Sequence, residues 1–477
     1  MRERLRVVLP IVVVVAIVLP LAWMWWHSRL PGSYSVMDMG YDDLGGGQAM
    51  PAMAGMRTTS VTDLVADPKR APDVTYTLTT RQERFHLASG EQVDGYTVNG
   101  TSPGPTLHAV EGQLVQVTLV NANVTDGVTI HWHGVDVPNA EDGVAGVTQD
   151  EVPPGKSFVY RFVAVHAGTF WYHSHQVSHA QVQGGLLGAL VISPKATSRE
   201  PDAVVLSHVY DSYLTVNGHN GSDSVPAAPG QHVRVRVINT DNGSLRAWVS
   251  GSPYRLLALD GYDVNQPTDV TDRSVLVTAG GRADLDVTAP ARVDLGGSFF
   301  EVGGTVPATP EPATVLDPLS YGTPIALPFD PTHPQRRFTY SIGRRPGFVD
   351  GRPGIWWSIN GHLFPHVPMF VVAEGDVVVM TIKNHSGATH PMHLHGHHAV
   401  VLSRDGTAAS GSPWWVDSLD VESGHTFVIA FLADNPGIWM DHCHNLPHAQ
   451  QGLIAHLMYE GVMTPFMVKG RADNHPE

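Results

Sequence analysis

One short unit occurs three times in this chain of 477 residues, and no other feature of the sequence restricts the fold as strongly. The copies are EGQLVQVTLVN (111–121), PGQHVRVRVIN (229–239) and EGDVVVMTIKN (374–384). Each copy has a turn, an alternating run and a closing Asn, and each follows an Asn-Gly pair. Alternation with a period of two is typical of a β-strand with one buried face. The repeats therefore predict three homologous β domains, with boundaries near 196 and 335.

The composition favours the same fold class. The chain contains 48 Gly and 36 Pro, and 16% of its residues are charged. Such a composition indicates many short strands joined by turns. A formal net charge of −16 argues against a nucleic-acid-binding surface. We expect an all-β protein with domains at 70–195, 196–334 and 335–470, and no nucleic-acid partner.

The N-terminus has the pattern of a membrane anchor or export signal. Three arginines precede an uncharged, mostly apolar run at 7–26 that ends in three tryptophans: Arg2, Arg4, Arg6, Trp23, Trp25 and Trp26. About 20 apolar residues suffice to cross a bilayer as a helix, and Trp suits its interface. No small-residue cleavage site follows closely. We expect a transmembrane helix within 1–30 that leaves the rest at the cell surface or in the periplasm, or a secreted protein if the segment is cleaved.

Residues 31–69 are rich in Gly and Met, and they predict a flexible tether between the helix and the first domain. The segment carries five methionines: Met37, Met39, Met50, Met53 and Met56. Thioethers are also good ligands for Cu(I). A copper-gathering segment is therefore the alternative interpretation.

Histidine pairs follow the outer copies of the repeat. The first copy leads to HWHG (131–134) and the third to HLHG (393–396), whereas the middle copy has Trp248 in LRAWVSG. Later the first domain has GTFWYHSHQVSH (168–179) and the third has GIWMDHCHNLPH (437–448). In a strand, residues i and i+2 point to the same side. Four such pairs predict eight converging imidazoles.

The chain has a single cysteine, Cys443, between His442 and His444. A lone cysteine cannot form an intramolecular disulfide, and most free cysteines are small buried apolar residues. If 442–444 is extended, the thiol points away from the two imidazoles, so one stretch could serve two metal centres. Zinc also binds Cys and His, but structural zinc sites usually use closely spaced Cys pairs.

Cysteine with two histidines is the ligand set of a blue-copper electron-transfer site. His448 follows Cys443 within a short loop, and His390 precedes HLHG. The first domain keeps His179 at the position of His448, but has Val128 and Ser174 in place of His390 and Cys443. Only the third domain is therefore expected to hold this copper.

These motifs resemble those of the three-domain multicopper oxidases, which include laccases, bilirubin oxidases and bacterial copper oxidases. The resemblance covers roughly residues 70–465, through HWHG, HSH, HPMHLHG (390–396) and HCHNLPH followed by Gly452-Leu453. It implies three cupredoxin-like Greek-key β-barrel or sandwich domains and four coppers per chain. It also implies ligands: His390, Cys443 and His448 for the type 1 copper, His131 and His393 for the type 2 copper, and His133, His173, His175, His395, His442 and His444 for the type 3 pair.

The implied function is oxidation of a donor in four one-electron steps, with transfer through Cys443 to His442 and His444 and reduction of dioxygen to water. Asp142, in AEDGVAGVTQ, matches the family's acidic residue that assists proton delivery. An Asp before Gly is also an ordinary turn residue. The middle domain is expected to act mainly as a spacer.

The sequence departs from some family members at two positions. Leu453 stands where some carry an axial Met, and Ala449 follows the last ligand where some bacterial cuprous oxidases carry an acid. We expect a laccase-like oxidase of phenolic or similar donors. The alternatives are a metallo-oxidase of Cu(I), Fe(II) or Mn(II), and a non-catalytic cupredoxin scaffold, against which the intact ligands argue. His397 and His398 are candidates for lining the substrate approach.

Overall fold

A computed structural model describes residues 2–48, 58–196 and 201–477, with side chains from residue 11 onward at the N-terminus. The expectation of an all-β protein is confirmed, since three helices accompany many strands in these ranges. Met50, Met53 and Met56 lie outside the described residues. The N-terminal extension contains two 3₁₀ turns (Val36–Asp38 and Val61–Asp63) and four further elements: α1 (Arg2–His27), β1 (Ser33–Tyr34), β2 (Tyr41–Asp43) and β3 (Thr59–Ser60).

The expected helix is present as α1, but the expected membrane span is not supported. Within the described ranges, no helix combines the length and the apolar character that crossing a bilayer requires.

The first domain is a sandwich of two four-stranded sheets, with strand orders β5-β4-β7-β9 and β6-β11-β10-β8. Its core includes Trp132, Tyr160 and Phe162. Its elements are β4 (Val74–His86), β5 (Gln92–Val98), β6 (Leu107–Val110), β7 (Leu114–Asn121), β8 (His131–His133), β9 (Ser157–Val163), β10 (Gly168–His173), α2 (Ser178–Gln183) and β11 (Leu187–Ser193).

The middle domain is a second two-sheet sandwich around a separate core that includes Val235, Leu285 and Phe300. Its strands are β12 (Asp202–Tyr210), β13 (Tyr213–Val216), β14 (His219–Asn220), β15 (Ser222–Val225), β16 (His232–Asn239), β17 (Leu245–Ser250), β18 (Tyr254–Leu259), β19 (Tyr262–Asp263), β20 (Asp269–Val270), β21 (Arg273–Val277), β22 (Arg282–Thr288), β23 (Ala291–Asp294), β24 (Phe299–Val302) and β25 (Thr314–Val315).

The third domain has one sheet with the order β2-β28-β37-β36-β30-β34 and another built on β27-β26-β29-β35-β31-β32. Its elements are β26 (Arg336–Val349), β27 (Arg352–Ile359), β28 (Pro368–Val372), β29 (Val377–Asn384), β30 (His390–Leu394), β31 (Ala399–Arg404), β32 (Thr407–Ala408), β33 (Trp415–Val416), β34 (Ser418–Val421), β35 (Thr426–Leu432), β36 (Ile438–Cys443), α3 (Leu446–Gln450) and β37 (Ile454–Tyr459), followed by β38 (Val462–Met463) and β39 (Val468–Lys469). The domain boundaries near 196 and 335 stay predictions.

The repeated unit forms the same substructure in each domain. Its strand pairs in parallel with the first long strand of the domain and antiparallel with a later one: β7 with β4 and β9, β16 with β12 and β22, and β29 with β26 and β35. The closing residue of each copy is buried and donates its side-chain amide to two or three backbone carbonyls, at Asn121, Asn239 and Asn384. The Asn side chains therefore satisfy buried backbone groups where each strand ends.

The described part of 31–69 is packed, so the flexible-tether interpretation does not fit it. β1 pairs with β39, β2 with β28 and β3 with β38. Val36, Met39 and Val61 are buried in the core of the third domain. Burial of these apolar side chains outweighs the local Gly-rich composition that suggested a tether.

Candidate metal centre

The strands bring the histidine pairs of each outer domain side by side. In the first domain His131 on β8 lies directly opposite His173 on β10. In the third domain His393 on β30 lies opposite His442 on β36. His131 and His133 share one face of β8, as residues i and i+2 of a strand do. In the other three pairs the first histidine lies in a strand and the second lies one or two residues beyond its end.

All eight predicted histidines meet in what we call the trinuclear group. They form three sets whose ligand nitrogens lie within 4.8 Å of one another: His131, His133 and His393; His133, His173 and His444; His175, His395 and His442. Each set combines residues from both outer domains. The Nε2 atoms of His131 and His393 are 3.4 Å apart, and those of His395 and His442 are 3.2 Å apart.

The trinuclear group has the properties of a metal site. His133 Nδ1, His173 Nε2, His175 Nε2 and both nitrogens of His444 are buried without hydrogen-bond partners. Burial lowers the pKa of His175 and of His444 to about 3, so both rings are neutral, the form that binds metal. Unpaired buried nitrogens cost free energy unless an ion satisfies them. Clustered imidazoles suit copper.

Hydrogen bonds from the far side of several rings fix which nitrogen faces the centre. The Nδ1 of His131 donates to the carbonyl oxygen of Asp142 at 2.9 Å, and that of His393 donates to the carbonyl oxygen of Asp417 at 2.8 Å. The His175 Nδ1 donates to the carbonyl oxygen of Pro476 at 3.0 Å. Such outer contacts set the tautomer and leave Nε2 free for a metal.

A second group, which we call the thiol site, lies within the third domain. The Sγ of Cys443 is 3.6 Å from His390 Nδ1 and 3.7 Å from His448 Nδ1. The other nitrogen of His390 is 2.8 Å from the Ser386 hydroxyl. Burial raises the pKa of the Cys443 thiol, so its thiolate form requires a nearby cation. Cys443 and His390 are buried, whereas His448 is partly exposed.

Two residues near the thiol site had no signal in the sequence. Trp357 contacts the rings of His390 and His448, with centroids 4.7 and 4.5 Å away. The Arg344 guanidinium lies 4.6 Å from the Trp357 ring centroid. Burial first, and then the positive charge of Arg344, lowers the pKa of His448. Neither residue belongs to a motif, so only the fold identifies them.

Asp142 lies against the trinuclear group. It is fully buried, and each of its carboxylate oxygens is 3.1 Å from His395 Nδ1. The turn that positions it requires glycine next, because Gly143 has φ +77° and a Cβ there would overlap the carbonyl oxygen of Ile130. Asp142 is thus both the turn residue before Gly143 and a direct contact of His395, one of the predicted copper ligands.

The middle domain also reaches the trinuclear group, which the sequence did not indicate. Arg282, at the start of β22, is fully buried and donates to both carboxylate oxygens of Asp417, at 2.7 and 2.6 Å. Asp417 in turn accepts from His133 Nε2 at 3.2 Å. Although burial opposes its ionisation, Arg282 keeps the pKa of Asp417 well below its usual range. The middle domain therefore does more than separate its neighbours.

His397 and His398 are buried and do not line an open approach. His397 bonds the Tyr459 hydroxyl at 2.7 Å. His398 lies 3.2 Å from both Asp136 and Asp417. Burial opposes its charge, but the carboxylates of Asp136 and Asp417 raise the pKa of His398 to about 10. The suggested substrate-lining role is therefore wrong for this structure.

Comparison with known proteins gives a consistent result. Profiles described as multicopper oxidase match residues 79–197 and 329–461, together just over half of the chain. Laccase-1 of Botryotinia fuckeliana is 29% identical over 74% of this chain and 76% of its own length. The multicopper oxidase MmcO of Mycobacterium tuberculosis is 27% identical over 85% of this chain and 91% of its own. The crystal structure of a multicopper oxidase from Pseudomonas thermotolerans matches with a TM-score of 0.67 at 27% identity, over 82% of this chain and all of the other.

The sandwich domains, the trinuclear group and the thiol site account for the four coppers, one type 1, one type 2 and two type 3, that this family uses. The chain belongs to the multicopper oxidase family of copper-dependent oxidoreductases that use dioxygen.

Proposed function

We propose that this protein is a laccase-like oxidase that takes electrons from phenolic or similar organic donors at the thiol site and reduces dioxygen to water at the trinuclear group. The observation that carries the proposal is the position of Cys443, which belongs to the thiol site while its chain neighbours His442 and His444 belong to the trinuclear group. The bound coppers supply one-electron transfer and dioxygen reduction. The protein supplies a covalent path of one residue between the two sites.

The geometry supports the ligand assignment that the family resemblance implies. His390, Cys443 and His448 hold the type 1 copper, as the thiol site. His131 and His393, whose Nε2 atoms face each other, hold the type 2 copper. The type 3 pair is held by the two remaining sets: His133, His173 and His444, and His175, His395 and His442.

Asp142 is proposed as the residue that holds a proton beside the trinuclear group. Its carboxylate contacts His395 Nδ1, so a proton can be shared along that contact while His395 Nε2 faces the metal. Its full burial keeps bulk water from competing for this position. Both features suit a group that delivers protons as dioxygen is reduced.

The surroundings of His448 support an organic donor over a metal ion. His448 is the partly exposed member of the thiol site, so it is the side chain that an outside donor can approach. The charge acting on His390 and His448 from beyond the thiol site comes from Arg344. A fixed positive charge disfavours the approach of Fe(II), Mn(II) or Cu(I) and does not hinder a neutral phenol.

Steady-state oxygen uptake by the copper-loaded protein, with a phenol, Cu(I), Fe(II) and Mn(II) side by side, tests the donor class. We expect the highest kcat/KM for the phenol. Arg344→Gln should raise the Fe(II) rate relative to the phenol rate. The control is Arg345→Gln, because residues 344 and 345 point to opposite faces of β26. If a metal ion has the highest kcat/KM with the wild-type protein, and Arg344→Gln does not change that preference, the protein is a metallo-oxidase instead.

We also propose that the three domains act outside the cytoplasm. The proposal rests on the three arginines before the apolar part of α1, which is the pattern of an export signal. Fractionation of cells expressing the full chain should place oxidase activity in the extracytoplasmic fraction. Activity confined to the cytoplasm contradicts export.

A further inference from the structure

His456 is a buried histidine that the proposed mechanism does not use. It lies on β37 with 2% of its surface exposed, and neither ring nitrogen has a hydrogen-bond partner. Burial lowers the pKa of His456 to about 4, so the ring is neutral. A buried neutral imidazole with both nitrogens unsatisfied is costly, and such groups call for an explanation such as an unseen ion or water.

Methionines flank His456 on both neighbouring strands. Met440 on β36 is its direct antiparallel partner, and Met369 on β28 is its direct parallel partner. Directly paired residues project from the same face of a sheet, with Cβ atoms about 4.5–5.5 Å apart in antiparallel pairs. The Met440 thioether is therefore within reach of the imidazole.

A cavity of about 510 Å³ borders this face of the sheet. Met440 and His456 line it from the sheet, and Met39 lines it from the N-terminal segment. Met39 and Met440 are both buried. The cavity is also bordered by Arg352 and Gln450, whose side chains are exposed, so it communicates with solvent.

Thioether sulfur and neutral imidazole form a soft donor set. Such donors select Cu(I), whereas Mg²⁺ and Ca²⁺ require oxygen ligands. We infer that Met39, Met440 and His456 form a Cu(I)-binding site in addition to the four resident coppers. The site explains why a methionine from the Met-rich segment is folded against the third domain rather than left in solvent.

The inferred site lies beside the trinuclear group without sharing its ligands. Met440 precedes His442 by two residues on β36, so the two side chains project from the same face of the sheet. The inference does not depend on the identity of the donor. It can therefore fail while the proposed laccase-like function stands, and the reverse also holds.

Anaerobic titration tests the inference on the copper-loaded protein, reduced with ascorbate. Cu(I) is supplied in the presence of bicinchoninate, a chromophoric competitor. We expect the wild-type protein to take up one Cu(I) beyond its resident coppers. Met440→Leu, which nearly preserves side-chain volume, and His456→Leu should each lose that equivalent. The matched control is Met463→Leu, because Met463 is exposed on β38 and does not border the cavity.

Ag(I), a redox-inert substitute for Cu(I), provides a second readout. X-ray absorption at the silver edge does not detect the resident coppers, and it should show sulfur neighbours around the bound ion. Sulfur scattering should diminish in Met39→Leu and Met440→Leu. The inference is overturned if the wild-type protein takes up no extra ion, if both methionine variants retain it, or if silver has only nitrogen and oxygen neighbours.

Discussion

The first and third domains share a backbone hydrogen bond and a following short helix at their second histidine pair, yet only the third builds a thiol site. The Ser174 N–H donates to the carbonyl oxygen of Leu186 at 3.2 Å, and the Cys443 N–H donates to that of Leu453 at 3.1 Å. A short helix follows in each domain, α2 and α3. The frame is therefore repeated, and Leu186 is the counterpart of Leu453.

Side chains at two positions account for the difference. Where the third domain has His390 and Cys443, the first has Val128 and Ser174, both fully buried. The Ser174 hydroxyl bonds the backbone of Gln176, and a valine side chain has no donor atom. Each outer domain thus supplies four histidines to the trinuclear group, and two side-chain differences give the third domain the thiol site as well.

The largest effect is expected where the two domains differ in chemistry. Cys443→Ser should abolish the blue absorption and donor oxidation, and metal analysis should show about one copper fewer per chain, since a hydroxyl does not replace a thiolate toward copper. Ser174→Cys is the matched control: it should add a thiol to the first domain without adding a blue band, because Val128 cannot bind metal. Near-normal donor oxidation by Cys443→Ser would show that electrons enter elsewhere.

The second effect concerns a carboxylate of the first domain that acts on a histidine of the third. Asp142→Asn keeps the shape of the side chain but cannot carry a proton, so kcat should fall by about 10²–10⁴-fold, the usual contribution of general acid-base catalysis. Copper content and the blue band should be unchanged. Asp150→Asn, at an exposed position beyond the same turn, serves as control. A kcat within about twofold of wild type would remove Asp142 from the proton path.

The third effect tests whether the middle domain supports the contact between the outer two. Arg282→Met removes the guanidinium of a buried ion pair and leaves His398 as the charged side chain beside the Asp417 carboxylate, which should cost up to about 3–5 kcal/mol of stability. Arg246→Met breaks the half-exposed pair with Glu311 and should cost about 0–1 kcal/mol. Denaturant unfolding of the copper-loaded variants provides the measurement. Equal losses for the two variants would mean that the Arg282–Asp417 pair has no special role.

The smallest effect is a shift in redox potential that should be specific to the third domain. Leu453 is fully buried beside Cys443 and offers no donor atom, which favours a high potential. Leu453→Met should lower the potential of the blue site and slow the oxidation of difficult donors, with little change in packing because Leu and Met are similar in volume. Leu186→Met makes the same change at the equivalent position of the first domain and should leave the potential unchanged. Redox titration of the blue band compares the variants, and an unchanged or raised potential in Leu453→Met would mean that residue 453 does not face the copper.

The sequence alone determined the all-β class, the threefold repeat and the side chains available as ligands. These features are local: alternation with a period of two identifies a strand, and an H-x-H pair within a strand presents two imidazoles to one side. The eight histidines of the trinuclear group and the members of the thiol site could be named from spacing and family resemblance before their positions were known.

Only the tertiary structure decided which distant residues meet. Arg282 bonds an aspartate 135 residues later in the chain, and neither residue stands in a motif. The Gly-rich neighbours of Met39 predict a flexible tether, yet Met39 is buried in the core of the third domain. A buried charge is stabilised by its ion-pair partner, and a docked segment is stabilised by the side chains against which it packs. The free energy of these contacts comes from elements far apart in sequence, so it leaves no periodic pattern along the chain.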